Sequence, residues 1–379
     1  MQTKLTDLLG CKHPIIQTAM GWVSNSELTA ATCNAGGFGF LAGATIPPNE
    51  MSKAIRKTRQ LTNNAFGINF HMYQPNAGHI VKLAIEYGVK AVSYSRSPEP
   101  KYIEELKQAN ILCIPTIGLP KHAEKAIELG ADGVTVQGSE GGGHTGKIPT
   151  SLLIPSIVAT VKGRVPVVAA GGFKDGRGLL AALSWGADGI AMGTRFLMTQ
   201  ESPVPEATKH QYLNCKNPAD IIVSTAMDGL PQRMIVNQML ENLERASGIS
   251  KLFIALKNGL KYSRFTGAGI FSLLKIALLQ SKNHALTPAQ TIMAANAPFI
   301  IQKAMVDGNP QDGVLPSGQV AAVIDELLTC QEVITSIIDE AEQALVNLVS
   351  HLNPNVQALP TVNIDYSGTG KAVDNSTLN

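Results

Sequence analysis

Residues Val165–Thr199 read VPVVAAGGFKDGRGLLAALSWGADGIAMGTRFLMT. Two runs in this stretch, Val167–Ala170 and Ile190–Gly193, are apolar at successive positions, as strands buried on both faces must be. Between them Arg177–Trp185 carries a helical pattern that stops at Gly186. The tetrapeptide GADG at Gly186–Gly189 also occurs at Gly130–Gly133. Each copy marks a helix-to-strand joint, because glycine ends a helix in the left-handed region at little cost. Strand, helix, joint and strand make one unit of a parallel sheet.

Working outward, the same unit recurs from Pro14 to Leu197. The runs Ile15–Ala19, Gly39–Ala42, Phe66–Asn69, Ala91–Tyr94, Leu112–Thr116 and Gly133–Gln137 join the two above to give eight expected strands. Helical segments fall between them, among them Ser26–Asn34, Asn49–Leu61, Lys121–Leu129, Ser151–Val161 and Arg177–Trp185. Eight such units match a closed α/β barrel of the (β/α)₈ type. A doubly wound sheet is the rival, and the repeated GADG joint favours the barrel.

The rhythm breaks after Met198. Residues 199–313 read as loop and then helices, at Ile235–Ser247, Ser250–Leu260, Ile270–Gln280, Pro288–Ala295 and Phe299–Val306, with no strand series. We expect a smaller, mostly helical lobe there, on the substrate side. Residues 314–352 carry a turn and a long amphipathic pattern that returns to complete the barrel of residues 1–198. Residues 353–379 are rich in Pro, Asn, Ser and Gly and are expected to be irregular.

Composition removes several functions. Thirty-one basic residues face 29 acidic ones in 379, a net charge of +2 without a dense Lys/Arg block, so nucleic acid is not an expected partner. The apolar stretch Gly269–Gln280 is short and is interrupted by Lys275. No run reaches the ~18 residues of a membrane span. Met1–Cys11 has no apolar signal core, and Cys11, Cys33, Cys113, Cys215 and Cys330 form no CxxC pair. A cytoplasmic protein with reduced thiols is expected.

In a barrel of this type the active site lies at the C-terminal strand ends. The first run ends in Gln17-Thr18-Ala19-Met20-Gly21, the third in Asn69, and the sixth in Gln137 followed by Gly138-Ser139-Glu140-Gly141-Gly142-Gly143-His144. The last two end in Gly171-Gly172 and Gly193-Thr194. Glycines after strands seven and eight suit a phosphate, whose oxygens need unobstructed backbone N–H groups. They also suit plain tight turns. His144, alone in a glycine-rich loop, is placed to donate a hydrogen bond or move a proton near neutral pH. Glu140 fits a solvated loop charge equally well. The amides of Asn69 and Gln137 face the same mouth and suit a ring with alternating carbonyl and N–H groups, such as a flavin pyrimidine edge. A lone amide there also caps a loop.

Other chemistries lack support. His13, His71, His79, His122, His144, His210, His284 and His351 show no metal-binding spacing. GxSxG is absent, and GGGHTGK lacks the phosphate-loop spacing.

At these residues the chain resembles the nitronate monooxygenase family, also called 2-nitropropane dioxygenases, which are FMN-dependent (β/α)₈ barrels. The likeness runs from about Leu5 to His351. It is carried by HPIIQTAMGWVSNSELTAATCNAGGFGFLAG (His13–Gly43), FGIN (Phe66–Asn69), VTVQGSEGGGHTG (Val134–Gly146), the opening stretch above, and GVLPSGQVAAVI (Gly313–Ile324). The resemblance implies that His144 is the active-site base or polarising group. It implies flavin contacts at Ala19, Met20, Gly21, Asn69, Gln137, Gly142 and Gly143, and an FMN phosphate site at Gly171, Gly172, Gly193 and Thr194. Gly318 and Gln319 match a late cofactor contact.

One departure stands out. Ala19-Met20 replaces the family's usual Pro-Met, which frees a backbone dihedral and an N–H beside the flavin. QTAMGWV, GSEGGGHTG and the MAANAP…VDGN…GVLPSGQV run are closer to a branch of flavin reductases acting on coenzyme A thioesters in steroid ring degradation.

Two redox readings follow. The first is oxidation of alkyl nitronates with O₂, where the lack of a second obvious base fits a substrate already ionised. The second is an NAD(P)H-linked FMN reductase or dehydrogenase acting on an enoyl or steroid-derived acyl thioester. There Lys251, Lys257, Lys261 and Arg264 could meet coenzyme A phosphates, or form a solvated face. A flavin-free barrel binding a phosphorylated metabolite is the non-redox reading. Either redox reading implies a small-molecule substrate and a monomer or homodimer.

Overall fold

The computed structural model describes residues 1–95, 98–246 and 297–352. Eight parallel strands close into a barrel: β1 (Ile15–Gln17), β2 (Phe38–Ala42), β3 (Gly67–Asn69), β4 (Ala91–Ser95), β5 (Leu112–Ile117), β6 (Val134–Gln137), β8 (Val167–Ala170) and β9 (Gly189–Met192). β9 returns to β1, with Ile190 opposite Ile15. Every expected run is a barrel strand, within one or two residues at its ends. The short strand β7 (Gly143–His144) lies outside the barrel.

The parallel register alternates residues between two cores. Ile16, Phe38, Phe40, Ala91, Ile114, Val168, Ala170 and Ala191 cluster together, with Phe38 and Phe40 edge to face at 5.1 Å. Helix α1 (Lys4–Leu9) closes the N-terminal end by adding Leu5 and Leu9 to that cluster. Opposite-facing residues pack under α2 (Ser26–Asn34), α3 (Pro48–Leu61), α4 (Ala77–Glu86), α5 (Pro100–Gln108), α6 (Pro120–Glu128), α7 (Thr150–Val161) and α8 (Gly176–Ser184).

The segment after β9 contains α9 (Thr194–Leu197), α10 (Glu206–Asn214), α11 (Gln238–Arg245) and α12 (Ala297–Met305). It also contains two strands that the sequence reading did not place, β10 (Ile221–Ser224) and β11 (Gln232–Ile235). β11 is antiparallel to β10 on one edge, and to β7 and β12 (Leu315–Pro316) on the other. This small sheet ties the β6 loop to the late GVLPSGQV segment. The expected helices at Ser250–Leu260, Ile270–Gln280 and Pro288–Ala295, the four cations Lys251, Lys257, Lys261 and Arg264, and the tail 353–379 lie outside the described residues.

Helix α13 (Cys330–Leu352) completes the outer ring by packing against α8 and α2. The contact with α8 is close: a Cβ on Gly176 would sit 2.2 Å from Ala341 N and 2.4 Å from Ile337 O. Backbone does not yield as a side-chain tip does. Gly176→Ala is therefore expected to cost roughly 1–3 kcal/mol and to lower the thermal midpoint followed by circular dichroism. An unchanged midpoint would show that α13 is loosely held.

Candidate active site

The mouth is built from the C-terminal strand ends. Beyond β1, the Ser24 hydroxyl accepts from Met20 N and from Gln17 Nε2, each at 2.8 Å. These bonds pin the loop that carries Ala19, Met20 and Gly21. At the end of β3, the Asn69 amide donates to Ser93 O (3.1 Å) and Ser93 Oγ (2.8 Å) on β4. Both amide hydrogens are thereby used, so Asn69 offers its carbonyl oxygen to the mouth. At the end of β6, Gln137 Nε2 donates to His144 O at 2.8 Å, and its own carbonyl oxygen has no protein donor among the described residues.

The loop after β6 is fastened at several points. Glu140 is not a solvated loop charge: its carboxylate accepts Thr150 N (2.9 Å) and Thr150 Oγ1 (2.7 Å) and so caps α7. Arg233 on β11 donates to Ser139 O (3.1 Å) and to Gln319 Oε1 (2.6 Å). Gln319 gives its side-chain amide to Pro218 O (2.7 Å) and its N–H to Glu140 O (2.9 Å). Its side chain anchors the late strap and keeps one amide hydrogen and one carbonyl lone pair free of protein partners among the described residues. Gly142 sits where that strap crosses, and a Cβ there would lie 2.5 Å from Gly318 N. Gly318 N donates to Thr194 Oγ1 at 2.9 Å, which joins the strap to the end of β9.

The residues expected at a phosphate site have a distinctive backbone. Gly171 and Gly172 take φ of +105° and +83°, a pairing that side chains other than glycine's resist. Among the described residues, the N–H groups of Gly171, Gly172, Gly193 and Thr194 have no acceptor. Unclaimed amides at adjacent strand ends form an anion cradle. With the acceptor oxygens of Asn69 and Gln137, the mouth fits a planar, phosphorylated group that carries a ring N–H.

The sequence reading missed the partner of His144. Its Nε2 lies 2.8 Å from Oδ2 of Asp228, whose side chain is only 6% exposed against 43% for the histidine. The pairing follows from the small sheet, which sets His144 opposite Gln232. Gln232 Nε2 donates to Asp228 Oδ2 at 2.6 Å, and Leu230 N donates to Oδ1 at 3.0 Å. Burial pushes the Asp228 pKa up, but the bond to and charge of His144, the Leu230 N–H and the Gln232 amide outweigh it and hold the pKa below the usual value. Such a group stabilises the fold above its unfolded pKa of about 3.9 and loses that contribution as pH falls through the lower folded value. The stability gap between wild type and Asp228→Asn, read by urea denaturation, is expected to narrow from about pH 5 to about pH 3. A gap that widens in that window would contradict the ionised carboxylate.

The described residues hold no cluster of His, Cys, Asp and Glu suited to a metal, and no helix among them is long and apolar enough to cross a membrane. A (β/α)₈ barrel with unclaimed amides on its last two strands and a carboxylate-held histidine at its mouth has the parts that a cofactor-using enzyme of this fold needs. The sequence model of the nitronate monooxygenase family matches residues 2–340, and the chain belongs to that family of flavin-dependent oxidoreductases. It is 45% identical over 341 residues to (3aS,4S,5R,7aS)-5-hydroxy-7a-methyl-1-oxo-octahydro-1H-indene-4-carboxyl-CoA dehydrogenase of Rhodococcus jostii, covering 90% of this chain and 96% of that one. A probable nitronate monooxygenase of Staphylococcus aureus is 30% identical over 293 residues, covering 65% of this chain and 82% of the other. Among solved structures, FabK from Thermotoga maritima aligns with a TM-score of 0.74 at 29% identity, covering 93% of this chain and 99% of that one.

Proposed function

We propose that the protein is an FMN-dependent dehydrogenase or reductase of an alicyclic acyl-coenzyme A thioester, exchanging electrons with NAD(P)H. The observation that carries this reading is the 45% identity to the hydroxy-indene-carboxyl-CoA dehydrogenase of Rhodococcus jostii across 96% of that enzyme's length. Oxidation of alkyl nitronates with O₂ is the second reading, favoured by the family match and by the relative from Staphylococcus aureus.

FMN supplies the hydride acceptor or donor when bound. The backbone amides of Gly171, Gly172, Gly193 and Thr194 would hold its phosphate. Ala19, Met20, Gly21, Gly142 and Gly143 would lie along its ring, with the carbonyl oxygens of Asn69 and Gln137 accepting from the ring edge. Gly318 would act through the strap that it fastens to Thr194. His144 would take or return the substrate's proton. Lys251, Lys257, Lys261 and Arg264 remain the proposed contacts for coenzyme A phosphates. The five free cysteines fit a reducing, cytoplasmic location.

The test is anaerobic flavin absorbance during separate additions of NADH or NADPH, an acyl-CoA and an alkyl nitronate. Electron exchange between a pyridine nucleotide and an acyl-CoA through the flavin is expected. Bleaching by nitronate alone, with no response to the other two, would move the assignment to the second reading.

A further inference from the structure

We infer that the His144–Asp228 pair makes this a site for substrates that arrive carrying their proton, with His144 Nδ1 as the atom that takes it and Asp228 as its positioning residue. The inference rests on the proposed role of His144 in proton transfer.

The hydrogen bonds around Asp228 assign the tautomer. Leu230 N–H and the Gln232 amide are obligate donors, and each is bonded to a carboxylate oxygen. Oδ2 already accepts from Gln232, so the imidazole donates to it through Nε2 at 2.8 Å. An ionised carboxylate only accepts. The ring proton therefore resides on Nε2, and Nδ1, which has no protein partner among the described residues, carries the lone pair.

The neighbouring charges are committed elsewhere. Arg233 bonds Ser139 O and Gln319 Oε1, and Glu140 is tied to Thr150. Arg233 therefore makes no hydrogen bond to Asp228, and Glu140 carries the same sign of charge. The ring is thus backed by a buried negative charge, which stabilises the imidazolium formed when Nδ1 takes a proton. The same charge repels a substrate that is already an anion.

In the dehydrogenation direction the balance is complete. A proton leaves the substrate's O–H or α-C–H bond and bonds to Nδ1. The hydrogen on the neighbouring carbon would leave with its electron pair, for which FMN held by the Gly171, Gly172, Gly193 and Thr194 amides would supply the two-electron acceptor, and a C=O or C=C bond would form in the substrate. A nitronate has already lost the proton that this apparatus removes.

Nitroethane and its nitronate differ by that proton and interconvert slowly, so both can be presented to the holoenzyme at one pH. Anaerobic stopped-flow flavin reduction would be measured with each for wild type, Asp228→Asn and Asp228→Glu. Asp228→Asn is expected to slow reduction by neutral nitroethane by about 30-fold or more and to change the nitronate rate less than about threefold. Asp228→Glu should restore part of the loss. ¹⁵N NMR of the wild-type His144 ring should place its proton on Nε2. Equal losses with both nitro forms, or a ring protonated on Nδ1 alone, would overturn the inference. If wild type reacts with neither form, the NMR result decides. Failure of cyclohexanecarbonyl-CoA to exchange electrons would count against the acyl-thioester reading and leave the nitro comparison standing.

Discussion

His144→Ala should purify with the flavin content of the wild type and reduce that flavin about 10²–10⁴ times more slowly, the usual contribution of a positioned acid or base. The retention half of this expectation rests on the backbone. Gln137 holds residue 144 through its main-chain carbonyl, and β7 pairs with β11 through main-chain bonds, so removing the imidazole leaves the loop in place. The proposed phosphate contacts are main-chain amides at the ends of β8 and β9, which substitution of the imidazole leaves unchanged. What disappears is the side chain that joins the β6 loop to Asp228. The variant leaves a buried carboxylate short of one donor, but Leu230 and Gln232 still bond it, so loss of fold should be small. Flavin stoichiometry by absorbance and single-turnover reduction check both halves. Wild-type turnover would remove His144 from the chemistry. Loss of flavin together with turnover would make its role structural.

A second large effect is expected at the end of β9. Gly193 has φ −102° and ψ −75°, which other residues can adopt, so a substitution there is not forbidden by the backbone. A Cβ would lie 3.2 Å from Thr18 Cγ2 and 3.5 Å from Met20 Sδ, a tight but adjustable fit. Gly193→Ala should therefore lose flavin affinity only modestly. Gly193→Asp adds a carboxylate beside the proposed phosphate cradle. Like charges ~4 Å apart in a partly screened site repel by up to ~4 kcal/mol, so affinity should fall roughly ten- to thousandfold. Reconstitution titrations with FMN would measure both variants. Equal affinities for Gly193→Ala and Gly193→Asp would show that the phosphate sits elsewhere.

The barrel was legible because its signals are local and repeated. Each buried strand is a continuous apolar run, and each joint carries glycine. The second sheet was not legible, because its strands are two to four residues long and β7 finds its partner almost ninety residues downstream. Asp228 was hidden for the same reason. In TAMDGL it reads as a turn, and it is one, since Gly229 takes φ +82°. Its polarity within an otherwise apolar stretch was the only available hint. His144 and the glycines expected at a phosphate site were visible because they follow directly on the C-terminal ends of readable strands. The anchoring roles of Gln319 and Glu140 were not visible, because the partners that hold them, Arg233, Pro218 and Thr150, are not ones that sequence spacing reveals.

The outer ring has a consequence for how this protein is made. All eight barrel strands have been synthesised by Met192, but among the described residues the groove between α2 and α8 is filled by α13, where Ile334 reaches Gly37 and Ala341 reaches Gly176. At about 5–20 residues per second, roughly 7–30 seconds of translation separate those two events. Through that interval the nascent chain holds a nearly finished barrel with one apolar seam open. Apolar surface left exposed in this way is what makes a partly made chain prone to aggregate.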